Sequence, residues 1–416
     1  MLYSKLFGKT IKTDPKDEVS INARLLIKGG FIDKLMAGSY TLLPLGYLVK
    51  AKIEQIVREE INKTGAQELL MPLLHPKNIW NETGRWDSAK EVMYQFSKDD
   101  KDYALSFTHE EIVLDLVRKH TVSYKDFPIK IYHFSTKFRN EPRAKSGLLR
   151  CREFLMKDLY SLHTSAEDLD KYYWKVSETY KAIFKRLHVE AKIVEAAGGV
   201  FTDNLTHEFQ VLCGAGEDTI FYCKQCDFAQ NAEIAKVKEG EQCLKCKAKI
   251  KSAKAIEVGN IFRFGTSYSQ KMNISFTDEK GRAQLAHLAS YGIGITRMIG
   301  TLVELYHDEK GILWPANVAP FVVHLVGLNL NQAANKKQAE ELYKKLEQNK
   351  IEVLCDDRET ASVGEKLADA DLIGIPHRLV ISAKTADKIE YKKRSENKTE
   401  FLTFAQLLNR LNAHVQ

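Results

Sequence analysis

Apolar residues recur at helical spacing through YLVKAKIEQIVREEINKTG (47–65), where Val49, Ile53, Ile56, Val57 and Ile61 share one face and Gly65 stands at a natural stop. The spacing predicts a long amphipathic helix. The next segment, AQELLMPLL, reads as a strand reaching Pro72. Proline gives a sheet no donor, so this strand is expected at an edge or ending there. Residues 1 to about 310 mix such helices with alternating strands, a Cys-rich stretch at about 218–256 interrupts them, and WPANVAP (314–320) reads as a linker. Residues 321–416 have a texture of their own. They read as strand FVVHLVGL, helix AANKKQAEELYKKLEQ, strand IEVLCDD, helix VGEKLADADLIG, strand RLVIS and a closing helix near FAQLLNRL, a small α/β domain with a mostly covered sheet. The expected organisation is therefore α+β, with 1–313 as a first domain and 321–416 as a second.

Length changes this picture little: 416 residues exceed what one core usually serves, so two or three domains are the default. With 44% hydrophobic and 28% charged residues the chain is neither disordered nor fibrous. No stretch approaches the ~20 apolar residues that span a bilayer, so no membrane association is expected. The N-terminal MLYSKLFGKTIKTDPKDE carries acidic residues early and lacks an apolar core, which argues against a secretory or transit peptide and for a cytosolic protein. A net charge of +7 permits a polyanionic partner without demonstrating one.

Cysteine spacing adds candidate chemistry. Cys151, Cys213 and Cys355 stand apart, whereas Cys223-x2-Cys226 and Cys243-x2-Cys246 are separated by 16 residues, the spacing of four-cysteine tetrahedral zinc sites. Four thiolates leave no open coordination position, so the metal would staple a small knuckle. The alternative is that one pair is incidental and the thiols are metal-free.

The most informative segment is IYHFSTKFRNEPRAKSGLLRCREFLMKDLY (131–160). Its first strand puts Tyr132, Phe134 and Phe138 on one face and Lys137, Arg139 and Glu141 on the other. A polar loop follows. The return strand then aligns Arg150, Arg152, Phe154, Met156, Asp158 and Tyr160, and an antiparallel hairpin would bring Arg139 and Glu141 beside Arg150 and Phe154. Arginines can hold phosphate oxygens bidentately, a carboxylate can accept from an exocyclic amine, and a phenyl ring can stack on a purine. An isolated Arg/Glu pair is ordinarily a solvated surface pair. Here Phe154 and Met156 sit among the charges on the same face, which weighs against that reading. Further on, SYGIGITRMIGTLVELY reads as a strand end with Gly292 and Gly294, then a helix burying Met298, Ile299, Leu302 and Val303. Arg297 falls in its first turn, where the macrodipole disfavours a cation unless an anion is near.

The segment with Pro72, the hairpin FRNEPRAKSGLLRCREF and GIGITR resemble motifs 1, 2 and 3 of class II aminoacyl-tRNA synthetases, in chain order. PLGYLVKAKIEQIVREE, WNETGRW, FTHEE, REFLMKDLYSLH, THEFQVL, FYCKQCDFAQNAE, EVGNIFRFGTSYS and HDEKGILWPANVAPF resemble the bacterial and mitochondrial-type prolyl-tRNA synthetases nearly end to end. DDRETASVGEKLADADLIGIPHRLVIS resembles the anticodon-binding domain of subclass IIa.

The resemblance implies a class II catalytic domain built on an antiparallel sheet, a four-cysteine ribbon inserted in it, and a C-terminal anticodon-binding domain. It implies ATP-dependent activation of proline and transfer to the 3′ end of tRNA(Pro), with Mg²⁺ as cofactor and a homodimer joined through motif 1. By position, Arg139 would grip the α-phosphate and the substrate carboxylate, Glu141 the adenine amine, Arg150 and Arg297 the outer phosphates, Phe154 the adenine face and Thr266 the ribose. Arg139 and Arg297 would be the catalytic cations. Thr108 and Glu110 would fix the imino group, with Met156, Asp158, Tyr160 and Ser290 shaping the pocket. Arg143 and Lys145 would approach the RNA acceptor end. Glu208 is a candidate metal or pocket residue, or a plain carboxylate. Asp357, Arg358 and Lys366, beside Asp356, would read the anticodon or form a solvated loop. His109, His163, His207 and His287 read mostly as pocket or core residues, because this chemistry needs no imidazole base.

Departures from the resemblance are specific. About 100 residues separate Asp158 from Gly259, which leaves no room for the long editing domain found there in many bacterial relatives. Arg263 stands where glutamine beside ATP is typical, Phe107 where proline is frequent and Ser290 where cysteine is usual. Another class IIa specificity, or a synthetase-derived RNA-binding protein without activation, remains the competing reading.

Overall fold

The computed structural model describes residues 1–16, 18–199, 201–202, 205–385 and 387–412. Its contacts divide the chain into two compact units: residues 37–39 and 54–301 form one, and residues 1–36, 40–53 and 302–416 form the other. The N-terminal residues thus belong with the C-terminal ones, a division that the linear reading into 1–313 and 321–416 did not anticipate.

The expected long helix is α1 (Pro44–Asn62). Val49, Ile53, Ile56, Val57 and Ile61 are all buried, and Gly65 follows at φ +86°, a left-handed turn that favours glycine. β1 (Gln67–Glu68) comes next, pairs in parallel with one neighbour and closes the edge of a nine-stranded sheet. It is shorter than expected. Pairing ends after Leu69 N donates to Tyr132 O at 2.9 Å, before Pro72 is reached.

After α2 (Glu110–His120), whose acidic first turn and basic last turn complement its dipole, come the two long strands β2 (Ile129–Phe138) and β3 (Glu153–His163). The large sheet and its helical cover are completed by α3 (Ala166–Arg186), β4 (Ala191–Ala196), β5 (Thr206–Leu212), β6 (Asp218–Cys223), β7 (Ala229–Asn231), β8 (Ile250–Gly265), β9 (His287–Gly294) and the start of α4 (Ile295–Leu305). The sheet runs β5-β4-β7-β6-β8-β9-β3-β2-β1, with β5 also paired to β8, and is antiparallel except where β7 meets β4 and β1 meets β2. α3 covers one face. It is capped by Ser165, whose Oγ accepts from Asp168 N at 3.2 Å, and it buries Tyr173, Val176, Tyr180 and Phe184. Because side chains alternate, the other face of the four central strands remains for the site.

In the second unit, β10 (Val323–Gly327), β11 (Val353–Asp356) and β12 (His377–Ile381) are parallel neighbours in the order β11-β10-β12, connected through α5 (Ala333–Gln348) and α6 (Val363–Ile373). The predicted alternation is present. β13 (Ile389–Lys393) and β14 (Thr399–Leu402) then extend the sheet antiparallel before the closing α7 (Phe404–Asn412). The core joins Val323, Leu325, Leu342, Leu346, Leu379, Ile381, Leu407 and Leu411. The segment expected as a linker is packed within this unit: Trp314 is buried and its indole donates to Ile373 O at 3.1 Å, while Val318 and Ala319 are fully buried. Its apolar residues outweigh its two prolines. Leu2 bridges Cys355 in parallel, and Ser4 donates through N and Oγ to the two carboxylate oxygens of Asp357 at 2.8 and 2.6 Å.

Candidate active site

Strand register sets out the site in rows across the sheet. Ser135, Met156 and Gly294 form one row, His133, Asp158, Gly292 and Asn260 a second, and Ile131, Tyr160, Ser290 and Phe262 a third. Glycine keeps the middle row open. A Cβ on Gly292 would lie 2.8 Å from Asn260 Oδ1, 3.5 Å from Met156 Sδ and 3.6 Å from Asp158 Oδ1, so a side chain there would fill the floor.

Above these rows lies a cavity of about 440 Å³, within the range of small-molecule sites. Arg139, Glu141, Arg150, Phe154, Met156, Glu208 and Arg297 all line it, so residues from three separate stretches of sequence converge. The hairpin joins as expected. Arg150 Nη1 pairs with Glu141 Oε1 at 3.0 Å, and the Arg139 guanidinium lies 5.3 Å from the centre of the Phe154 ring. Arg297 is fixed at the start of α4 by donating from Nε to Leu149 O at 2.8 Å and from Nη1 to Glu257 O at 2.8 Å. With three guanidinium groups on one cavity, the site is built for a polyanion.

Carboxylates face those cations. Gln210 donates to Glu208 Oε2 at 2.9 Å, and Glu257 Oε2 lies 3.1 Å from Arg297 Nη1. Burial, then the neighbouring Glu257, push the Glu208 carboxyl up to about 8. Asp218 is also raised, first by burial. Crowded oxygen donors of this kind suit a hard divalent cation such as Mg²⁺.

Beyond Met156 on β3 and Gly292 on β9, which line the cavity, lies a second, buried set of polar groups. Thr108 Oγ1 donates to Glu110 Oε2 at 2.5 Å, His109 N donates to Tyr160 OH at 3.1 Å, and Arg85 lies between Glu110 and Glu111 at 3.2 and 3.1 Å. Asp158, Tyr160 and Ser290 are all buried there. Burial alone would raise the Asp158 carboxyl, but Lys137 and His133 hold it below the usual carboxylate range.

This geometry has counterparts among known proteins. Residues 94–306 match the class II tRNA synthetase core domain of the G, H, P, S and T enzymes, and residues 322–414 match an anticodon binding domain. A proline–tRNA ligase of Sulfurihydrogenibium sp. is 33% identical over 99% of both chains, and that of the Wolbachia of Drosophila simulans is 37% identical over 98% of this chain and 99% of its own. The chain belongs to the proline–tRNA ligase family. A crystal structure of prolyl-tRNA synthetase from Cryptosporidium parvum, complexed with halofuginone and AMPPNP, shares the fold with a TM-score of 0.78, at 18% identity, over 94% of this chain and 77% of its own. Within the family, the alignment to the Sulfurihydrogenibium ligase extends over 559 positions, far more than the 416 residues here, whereas the Wolbachia alignment needs 423. The chain is thus of the shorter form.

Several expected site residues lie elsewhere. Thr266 precedes the short helix Ser267–Met272 and does not line the cavity; on β8 the lining runs from Glu257 to Phe262. Arg263 points away from the nucleotide side. It packs on α3, 3.9 Å from the Tyr173 ring centre, with Nε 2.9 Å from Asp170, because residues 262 and 263 face opposite sides of the strand. Lys366 is 1% exposed and donates to Gly327 O at 2.6 Å, so it has no free group for an RNA base. Arg358 is held by Asp356 and Asp369 at 2.6 and 2.8 Å and lies over the Tyr3 ring, and Asp357 accepts from Ser4. This cluster ties β11, α6 and the N-terminal residues together rather than forming a solvated loop. Arg143 and Lys145 are exposed in the hairpin loop. Glu257 and Asn260 were missed; the EVGN run gave no charge pattern that would single them out. Phe107 is buried, its ring 5.7 Å from that of Phe201 and 4.9 Å from the Arg85 guanidinium.

The four paired cysteines meet as the spacing predicts. Cys223 Sγ lies 3.5 Å from Cys246 Sγ and Cys226 Sγ 3.6 Å from Cys243 Sγ, and all four sulfurs fall within 4.8 Å of one another. Four ligands at a Zn–S distance of ~2.3 Å would sit roughly 3.8 Å apart. In each pair a backbone N–H two residues on donates to sulfur, from Gln225 to Cys223 at 3.3 Å and from Lys245 to Cys243 at 3.4 Å, which favours thiolates. The surrounding core is small, centred on Val237 and Ile250.

Proposed function

We propose that this chain activates L-proline with ATP and transfers it to the 3′ end of tRNA(Pro). The observation that carries the reading is the convergence of Arg139, Arg150 and Arg297 with Glu141 and Phe154 on one cavity; the buried Asp158, Tyr160 and Ser290, next along β3 and β9 from its lining residues Met156 and Gly292, serve with Thr108 and Glu110 as the pocket floor. A triphosphate fits the arginines, adenine fits between Glu141 and Phe154, and a small imino acid fits the floor.

Arg139, between the two regions, holds the proline carboxylate against the α-phosphate. One carboxylate oxygen attacks the α-phosphorus in line, the bond to the outer diphosphate breaks, and pyrophosphate leaves along Arg150 and Arg297. The terminal ribose hydroxyl of the RNA then attacks the carbonyl of prolyl-adenylate, and AMP leaves. Positioning and charge stabilisation supply the catalysis, with no side-chain nucleophile. Mg²⁺, when bound, neutralises phosphate charge, and Glu208 and Glu257 would hold it. Arg143 and Lys145 are free to meet the acceptor end.

Three further readings accompany this one. The four cysteines hold a structural zinc ion, a role supported by their sulfur spacing and by the slightness of the core around them. The protein works in the reducing cytosol, in keeping with seven cysteines of which none is in a disulfide; among the described residues no helix is long and apolar enough to cross a membrane. It forms a homodimer through the edge near β1, where Leu70 and Leu74 are 80% and 51% exposed.

Exchange of labelled pyrophosphate into ATP tests activation and names the substrate together. Exchange that depends on proline is expected. Exchange driven by a different amino acid, or none, would overturn the assignment.

A further inference from the structure

Beneath the pocket floor lies a buried ammonium group. Lys137 Nζ sits 2.7 Å from His109 Nδ1, 2.8 Å from Ser135 Oγ and 2.7 Å from Asp158 Oδ2, with His133 Nε2 at 3.2 Å. An ammonium carries three hydrogens, so the three short contacts saturate it. The His109 tautomer follows from its other nitrogen. Nε2 lies 2.9 Å from Pro72 O, and a carbonyl can only accept, so Nε2 carries the ring proton and Nδ1 receives from lysine. His109, His133 and Asp158 place their ligand atoms within 4.8 Å of one another, as a metal trio would. The cation among them is the lysine itself.

Lys137 joins two walls of the pocket. His109 stands between Thr108 and Glu110 at the start of α2, whereas Asp158 is on β3 beside Tyr160. Tyr160 OH accepts from His109 N at 3.1 Å, so the walls touch at a second point. We propose that Lys137, acting through His109 and Asp158, is a positioning residue for the amino-acid substrate, setting the separation of the Thr108–Glu110 turn from the β3 floor. The proposal rests on the reading of this floor as the proline pocket. Without the lysine, Asp158 loses its nearest cation and His109 loses the donor that fixes its ring; both would relax, and pre-organisation of the pocket would be lost.

The test compares variants in pyrophosphate exchange. Lys137→Met keeps the length and removes the charge, and should raise the KM for proline roughly 10- to 100-fold while leaving the KM for ATP nearly unchanged. His109→Asn retains an oxygen acceptor near Nδ1 and should keep most of the proline affinity. His109→Phe has none and should resemble Lys137→Met. A merely structural lysine would instead lower the melting temperature and shift both KM values together. Unchanged proline KM in Lys137→Met refutes the proposal. If that variant does not fold, equal proline KM in the two His109 variants refutes it. Wild-type enzyme without proline-dependent exchange removes the functional reading itself, a result distinct from either.

Discussion

Glu208 is the residue on which the nucleotide cavity turns with pH. Its carboxyl, pushed up to about 8 by burial and by Glu257, must lose a proton before it can ligate a divalent ion. Half-maximal exchange should therefore need several-fold more Mg²⁺ at about pH 6.5 than at about pH 8.5, and Glu208→Gln should lose that difference. Identical Mg²⁺ curves at the two pH values in the unaltered enzyme would remove Glu208 from the metal site. Such residues were partly legible. Arg139, Glu141, Arg150, Phe154 and Arg297 could be read because charges interleaved with apolar residues on a strand, or placed against a helix dipole, are locally costly and call for a ligand. Thr266 and Lys366 misled because sequence does not reveal which polar residues the fold buries or turns aside. Lys137 was placed on the correct face, yet its role depends on His109 and Asp158, which come from elsewhere in the chain.

Among the elements, β3 carries opposite chemistry on its two faces. Asp158 looks into the site, while Lys157 looks toward α3, donating to Tyr291 O at 2.9 Å and to Tyr180 OH at 2.5 Å. Burial pushes the Lys157 ammonium down to about 7 from 10.5. Between those values the unfolded chain binds more protons than the folded one, so stability contributed here rises with pH and reaches its lower plateau below about 7. The melting-temperature difference between wild type and Lys157→Met should accordingly grow in favour of wild type from about pH 7 to about pH 10; a constant difference would contradict this. The cysteine knuckle makes a separate claim. Purification without chelators should yield about one zinc per chain, and Cys243→Ser should lose it and open residues 218–256 to proteolysis; a metal-free wild type would sink the idea. Period and length made α1 and the β10–β12 alternation readable. β13 and β14 escaped notice, since IEYKK and TEFL are short and set apolar residues among charges, and only their neighbours in the sheet make them strands.

For the whole molecule, light scattering at micromolar concentration should give about twice the 47.4 kDa of one chain, and a mass near one chain would exclude the dimer. The two-part division of the sequence was legible in its texture, but the partnership of the first residues with the last unit was not, because no local pattern records a contact across some 350 positions. That partnership has a consequence in time. At ~5–20 residues per second on the ribosome, Leu2 and Ser4 emerge about 20–70 s before Cys355 and Asp357 exist to receive them. Through that interval the leading segment travels without its sheet, a natural client for whatever chaperone waits at the exit tunnel.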